Sequence, residues 1–275
     1  LSETVRIETP RFTVEGNSRA GVETWFRVKE LGVALDIGRC PDLLVGTRHV
    51  FISHAHIDHS SGIPFYATQR KLNGLDPGIV YVPVENLEDY ESLIRVHERL
   101  QNTRYQLTLA GLGEGDVVEL RRDLVVRVHR ASHGIVTNAF ELVERRTKLL
   151  PEHAHLSSDE IRERRAQGED LFEQREVPIL FYTGDTDRAI FETCDAMFRA
   201  EVLIMECTFT RDDDQPRAEK YMHIHIDDIA SVADRFRNDL VILSHFSLRD
   251  SKDEIAREVE RRLPGELMKR VRLAL

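Results

Sequence analysis

Residues 54–59 read His-Ala-His-Ile-Asp-His, so His54, His56, Asp58 and His59 place four nitrogen or oxygen donors within six consecutive positions. Neutral imidazole and carboxylate are the usual ligands of zinc, and they also suit manganese or iron. Two histidines in a loop are more often structural than functional. Four ligand types at this spacing, directly after the apolar run Val50, Phe51, Ile52, favour a metal site over a solvated polar loop. A site for two ions needs further donors. His133, Asp185 and His245 each follow a β-type run, in the segments ASHG, TGDT and LSHFS. A histidine at a strand end is often a satisfied surface or core residue. Beside the first cluster, however, all three sit where strands could converge on one rim. Gly184 would let the backbone approach closely there.

The other polar residues have plainer readings. His129 precedes His133 by four and competes with it, but His133 lies beyond the strand. His225 would share a face with His223 in an extended segment, and a helix predicted from residue 226 turns it away. His97 reads as solvated on a charged helix. His153 and His155 fall in a polar stretch where a second metal site is not expected. Ser132 and Ser244 adjoin ligand candidates and read as turn residues rather than nucleophiles.

Short β-type runs at 5–13, 22–28, 33–37 and 50–52 lead into the histidine cluster. A helix is predicted over 60–72, a strand over 79–83 and a helix over 85–100. A hairpin follows at 117–120 and 124–129, then a strand at 139–145. Residues 147–177 break the rhythm with many Arg and Glu, and read as a charged surface insertion with one helix at 158–167 that Ser158 could cap. Arg145, Arg146, Lys148, Arg162, Arg164 and Arg165 could contact phosphates from there, although the interleaved Glu residues make a salt-bridged, solvated face at least as reasonable. Strands at 179–182, 202–205 and 240–243 then alternate with helices at 188–199, 226–237 and 252–262. This alternation predicts an α/β protein with a mixed sheet and outer helices.

The chain has 275 residues, 41% hydrophobic and 31% charged, which fits a folded globular protein and argues against disorder. It is read as one domain over 1–275 carrying the 147–177 insertion, with no internal repeat. No apolar run reaches about 18 residues, so no membrane span is expected, and no signal peptide is visible. Cys40, Cys194 and Cys207 are widely spaced and odd in number, which points to a reducing, cytoplasmic setting. A net charge of -10 counts against nucleic-acid binding, but a local basic patch or bound cations can override the average.

In chain order, SHAHIDH, ASHG, TGDT, ECTF (206–209), HIHIDDI (223–229) and LSHFSLR (243–249) resemble the metallo-β-lactamase superfamily and, within it, the tRNase Z branch. LDIGRCP at 35–41 and HIHIDDI are similar to the short plant-type form. The resemblance spans about residues 30 to 250. It implies the metallo-β-lactamase fold, two facing mixed β-sheets between outer helices, with the site at one edge. It also implies that His54, His56 and His133 hold one divalent ion. Asp58, His59 and His245 hold a second, and Asp185 bridges them. Glu206 and His223 form a pair beside the ions, which would be zinc, with manganese or iron as alternatives.

The function implied is an endonuclease that removes the 3′ trailer from precursor tRNA with a hydroxide activated by two metals. Asp58 would accept its proton, and His223, held by Glu206, would protonate the leaving oxygen. A homodimer is implied as well. Two departures stand out: residues 147–177 replace the Gly-Pro-rich arm of many bacterial members, and Asp250 stands where the family has an aromatic residue. The same site would serve a small phosphodiester such as a cyclic nucleotide, which is the alternative reading. A non-catalytic binding module is poorly supported, since every ligand position is filled.

Overall fold

The computed structural model describes residues 4–275. Among these residues, fourteen strands form two sheets of seven. The first sheet runs in chain order through β1 (Val5–Glu8), β2 (Thr13–Arg19), β3 (Glu23–Val28), β4 (Val33–Leu35), β5 (His49–Phe51), β6 (Gly78–Pro83) and β7 (Leu107–Leu112). Strands β1 to β4 pair antiparallel and β4 to β7 pair parallel. The second sheet repeats the plan with β8 (Val117–Arg121), β9 (Leu124–Ala131), β10 (Thr137–Leu149), β11 (Phe172–Tyr182), β12 (Val202–Glu206), β13 (Leu240–Ser244) and β14 (Val271–Leu273). Here β8 to β11 are antiparallel and β11 to β14 parallel. The topology therefore repeats although the sequence shows no repeat.

Parallel neighbours need crossover connections, and these carry the helices. In the first half they are α1 (Asp42–Val45), α2 (Ile57–Ser60), α3 (Ile63–Leu72) and α4 (Leu87–Leu100). In the second half α5 (Ser158–Ala166) lies between β10 and β11. There, α6 (Ile190–Thr193), α7 (Gln215–Tyr221), α8 (Ile226–Ser231), α9 (Lys252–Arg262) and α10 (Gly265–Met268) make the crossovers.

Alternate residues of the inner strands serve two different cores. Val33, Leu35 and Phe51 point between the sheets, where they meet Val126, Val128, Phe140, Leu142, Leu180 and Ile204. Ala34, Val50 and Ile52 face outward against Ile63, Tyr66, Tyr90 and Ile94 of α3 and α4. On the other side Leu203, Met205, Val241 and Leu243 pack under Ile190, Ile226, Ile229, Ile255 and Val259. A strand buried on both faces reads as a continuous apolar run, as in VILS and VLIM.

The structure corrects several sequence expectations. The run at 5–13 is a hairpin, with Pro10 in the turn between β1 and β2. The helix expected over 60–72 is two pieces, and its first turn, α2, already contains Asp58 and His59. The break falls at Gly62, whose N–H donates to Gly38 O at 2.7 Å, and a Cβ there would lie 2.5 Å from Cys40 N. The helices expected at 188–199 and 226–237 each end early and continue as 3-10 turns. Strands β7 and β14 and helix α7 were not anticipated. The insertion is largely β-structure: β10 and β11 continue as a ribbon that pairs Arg145 with Glu176 and Leu149 with Phe172. Ser157, not Ser158, caps α5, accepting from Glu160 N while the Glu160 carboxylate accepts from Ser157 N.

Gly62→Ala drives a methyl group into backbone and is expected to cost about 1–3 kcal/mol. A urea titration followed by circular dichroism measures it. An unchanged midpoint would show that the α2–α3 joint has room that the backbone contacts deny.

Candidate functional site

The ends of six strands hand the chain to one rim of the sandwich. Asp36 follows β4, His54 to His59 follow β5, and His133 follows β9. Asp185 follows β11, Glu206 ends β12, and His245 follows β13. All seven ligand positions expected from the sequence meet there. His54, His56, His133 and Asp185 form one donor group, and Asp58, His59 and His245 form another. In the first, His56 Nδ1 lies 3.0 Å from His54 Nε2 and 3.3 Å from His133 Nε2. In the second, His59 Nε2 lies 3.4 Å from His245 Nε2, and Asp58 Oδ2 lies 3.6 and 3.5 Å from these two nitrogens. Asp185 Oδ2 stands between the groups, 3.5 Å from His54 Nε2 and 3.4 Å from both His59 Nε2 and His245 Nε2. Gly184, at a φ of 62°, makes this possible, because a Cβ there would lie 2.7 Å from Ser53 Cβ.

The outer nitrogens of four rings decide what the inner ones can do. His59 Nδ1 donates to Asp36 Oδ2 at 2.7 Å, and His133 Nδ1 donates to Met222 O at 2.9 Å. Ser53 Oγ donates to Asp36, so it accepts from His54 Nδ1 at 2.9 Å. Thr208 Oγ1 donates to Glu206 at 2.6 Å, so it accepts from His245 Nδ1 at 3.0 Å. Each outer nitrogen thus carries the proton, and each inner nitrogen aims a lone pair at the cluster. Lone pairs converging at these distances repel unless a cation lies among them, so the residues fit divalent metal ions.

The titration shifts follow from the same packing. Burial and neighbouring imidazoles hold His54 well below its usual pKa and lower His56 too, which leaves both neutral as ligands must be. Burial also opposes charge on His59, but Asp185 and Asp36 outweigh it and raise its pKa well above normal. A cation at its inner nitrogen would take the place of that proton. Asp58 loses water on burial, yet His245 and His59 keep it ionised far below the usual carboxylate range. Gly21 N–H also donates to its Oδ2 at 2.9 Å.

Beside the cluster, Glu206 Oε1 accepts from His223 Nδ1 at 2.7 Å and from Thr186 N at 2.8 Å. Burial penalises the His223 imidazolium, but Glu206 more than offsets it and lifts the pKa to about 9. Its ring lies 4.9 Å from that of His133 and 5.4 Å from that of His245. A held acid next to a two-cation donor set can protonate a leaving oxygen.

The remaining sequence candidates lie elsewhere. His225 is buried as the cap of α8, accepting from Asp227 N at 3.2 Å and donating to Arg211 O at 2.7 Å. His129 pairs with Glu141 on neighbouring strands. His97 is half-buried rather than solvated, against the wall that carries Ile57, Pro64 and Leu93. Among the described residues His153 and His155 join no donor group. Ser244 Oγ donates to Met205 O. On the ribbon, Arg145 pairs with Glu119 and Glu176 and Arg146 with Glu144 and Glu201, and on α5 Arg162 pairs with Asp159 and Arg164 with Glu169. Arg165 lies over Phe172. The internal pairing favours the salt-bridged reading of that face. Asp250, in the aromatic position, pairs with Arg211 at 3.2 Å.

Sequence reasoning missed the supports. Asp36 is fully buried and accepts from Ser53 N at 2.6 Å, Ser53 Oγ at 2.8 Å, His59 Nδ1 at 2.7 Å and Tyr182 OH at 2.5 Å. The signal was an Asp at a strand end inside LDIG. Asp36→Asn replaces one acceptor oxygen with an N–H that faces donors. The expected outcome is about 10–100-fold weaker metal binding with the fold retained, measured by chelator competition alongside a melting curve. Wild-type affinity in this variant would remove Asp36 from the site.

Comparisons with known proteins bear on the same rim. The model of the beta-lactamase superfamily domain matches residues 36–246. The tRNase Z TRZ1 of Arabidopsis thaliana is 35% identical over 263 residues, covering 94% of this chain and 94% of its own. The chloroplastic tRNase Z TRZ2 of the same plant is 34% identical over 257 residues, covering 92% of this chain and 72% of its own. The human tRNase Z short form has a TM-score of 0.57 at 19% identity, over 96% of this chain and 91% of that one, a likeness of fold. With a superfamily domain over most of its length and a relative at 35% identity end to end, the chain belongs to the tRNase Z family of the β-lactamase superfamily.

Proposed function

We propose that the protein is a metal-dependent endonuclease that removes the 3′ trailer from precursor tRNA. The observation that carries this reading is the Glu206–His223 pair, an imidazole held at 2.7 Å by a carboxylate beside donor groups that could hold metal ions. The tRNase Z relatives, similar over nearly the whole chain, support the substrate class.

In this reading His54, His56 and His133 would hold one ion, Asp58, His59 and His245 would hold a second, and Asp185, within reach of both groups, would complete the donor set. Imidazole with carboxylate suits zinc, and manganese or iron fits the same donors. When bound, such ions offset the phosphodiester charge and bring the pKa of water down to roughly 7. Asp58, fixed by the Gly21 N–H, orients the attacking water and takes its proton. His223 gives its proton to the leaving 3′ oxygen, and Glu206 keeps the ring aimed. The products are a 3′-hydroxyl on the tRNA and a 5′-phosphate on the trailer.

We further propose a homodimer. Phe65, Leu72, Leu93, Val96 and Leu100 leave a large part of their surface exposed along α3 and α4. Apolar exposure of this kind on two helices supports association. The three free cysteines support a reducing, cytoplasmic setting. No helix of the described residues is long and apolar enough to cross a membrane.

Three predictions test these readings. A precursor tRNA with a 3′ trailer should be cut beside the discriminator nucleotide with zinc or manganese, and not by Asp58→Ala. His223→Ala should lower kcat by about 10²–10⁴-fold while metal content stays the same. Loss of both metals in that variant would sink the acid assignment. Hydrolysis of bis-p-nitrophenyl phosphate without tRNA cleavage would move the substrate to a small phosphodiester. In sedimentation velocity at micromolar concentration the wild type should run as a dimer and a Leu72→Glu, Leu100→Glu variant as a monomer. A monomeric wild type rejects the dimer.

A further inference from the structure

An aromatic wall leads away from His223, and the proposed metal chemistry does not use it. The chain leaves β12 at Glu206, passes Phe209, forms α7 and returns to His223. Phe209 is buried, and its ring meets the His223 ring edge to face at a centroid distance of 6.2 Å. The Arg217 guanidinium lies over the Phe209 ring and over the Tyr221 ring, 5.7 Å from each centroid. Phe209, Arg217 and Tyr221 thus make one continuous surface that starts at His223. Tyr221, the last residue of α7, leaves 47% of its surface exposed.

The end of α7 is tied to the rim that carries the donor groups. Met222, at a φ of 55°, turns the chain after Tyr221, and its carbonyl accepts from His133 Nδ1 at 2.9 Å. The His223 N–H donates to Ala218 O at 3.0 Å. Tyr221 and His223 are two peptide units apart, so their Cα atoms lie within about 7.6 Å of each other. The two cations at the Tyr221 ring differ in freedom. Arg217 Nε pairs at 3.3 Å with Asp214 Oδ1, an almost fully buried carboxylate that Arg249 shares at 2.8 Å. Two guanidinium groups on one carboxylate leave an excess of positive charge there. Lys220 Nζ lies 5.2 Å from the Tyr221 centroid, and among the described residues the exposed Lys220 has no carboxylate partner. Asp212 and Asp213 are taken up by Arg261, Arg262 and Arg211. An ammonium on a flexible stem can leave the ring when a planar group takes its place.

An exposed aromatic ring flanked by cations is the means by which proteins hold single-stranded nucleic acid, with the base on the ring and the phosphates on the cations. We propose that Tyr221 is a stacking platform for the base of the discriminator nucleotide, with Arg217 and Lys220 as phosphate contacts. This rests on the reading of the protein as an endonuclease for the 3′ trailer of precursor tRNA. The oxygen that His223 protonates in that reading is the 3′ oxygen of the discriminator nucleotide. That nucleotide, rather than the trailer, therefore faces the wall that begins at His223. Its base lies on the Tyr221 ring, and the Lys220 ammonium moves to the phosphate on its 5′ side. Stacking accepts any base, since each has a π-face.

The test is a cycle of two changes on the metal-loaded enzyme, one in the protein and one in the substrate. Wild type and Tyr221→Ala are each given a precursor tRNA with a 3′ trailer, once intact and once with an abasic discriminator nucleotide. On the intact precursor Tyr221→Ala should lower kcat/KM about 5- to 150-fold, mainly through KM, and Tyr221→Phe should keep most of the wild-type value. On the abasic precursor Tyr221→Ala should change kcat/KM less than about twofold, because the partner of the ring is already missing. Lys220→Ala should flatten the slope of log KM against log salt by about 0.7, and an unchanged slope removes Lys220 as a phosphate contact. Metal content and a melting curve report the fold, and if Tyr221→Ala disturbs either, Tyr221→Leu replaces it in the cycle. An equal penalty on both precursors, or none on the intact one, overturns the platform and leaves the endonuclease reading in place. A wild-type enzyme that cuts neither precursor overturns that reading and the platform with it.

Discussion

The structure turns on one buried carboxylate. Asp36 has no exposed surface, and burying such a group without partners would cost several kcal/mol. Its four hydrogen bonds come from three separate segments: Ser53 after β5, His59 in α2, and Tyr182 at the end of β11 in the opposite sheet. The Tyr182 hydroxyl keeps its proton, because burial and Asp36 itself raise its pKa well above normal. That bond ties the second sheet to the first at the rim. The Ser53 and His59 bonds fix ring tautomers directly beneath the cluster. Asp36 does this at a φ of 56°, and His245 adopts 60°. Left-handed geometry costs such residues about 1–3 kcal/mol each. Other parts of the fold must offset that strain, which is what a site selected for geometry rather than stability looks like.

Electrostatics point the same way. Five imidazoles and two carboxylates share one small volume, and Asp185 and His59 are almost fully buried. A purely structural core would place apolar side chains of similar volume there at lower cost. The shifts also divide the groups by task. His54 and His56 are pushed toward neutrality, the carboxylates of Asp58 and Asp185 toward ionisation, and His223 toward the protonated form. Neutral ligands, ionised ligands and a charged acid are the three states that metal-assisted cleavage of a phosphodiester needs.

The sequence carried this unevenly. The 54–59 cluster was legible because its spacing is covalent and no fold is needed to bring those side chains together. His133, Asp185 and His245 were legible through one inference, that apolar runs are strands and that their ends share a rim. Asp36 was not, because its partners come from three segments and only sheet pairing joins Tyr182 to it. Thr208 and the Met222 carbonyl were hidden for the same reason. Among the elements, β7 was missed because its residues are only partly buried and alternate weakly, with the exposed Thr108 its one clear polar position. The ribbon was missed because its outer strands cover no core, so Arg and Glu fill positions where burial would have demanded apolar residues. Charge alone cannot distinguish a two-stranded ribbon from a loop.

The repeated topology explains why the donors divide as they do. Each half is four antiparallel strands followed by parallel strands, and the two sheets pack face to face with their strand ends at a common rim. The first half supplies Asp36 and the run from His54 to His59. The second supplies His133, Asp185, Glu206, His223 and His245. Neither half has the donors for two ions, and Asp185 reaches His54 and His59 only across the join between the sheets. The interface core of Phe26, Phe51, Phe140 and Tyr182 therefore bears on the site as well as on stability, since a slip between the sheets would separate the Asp185 carboxylate from its partners in the first half. The site belongs to the contact between two copies of one plan, and the plan could diverge in sequence as long as the rim and the packing beneath it were kept.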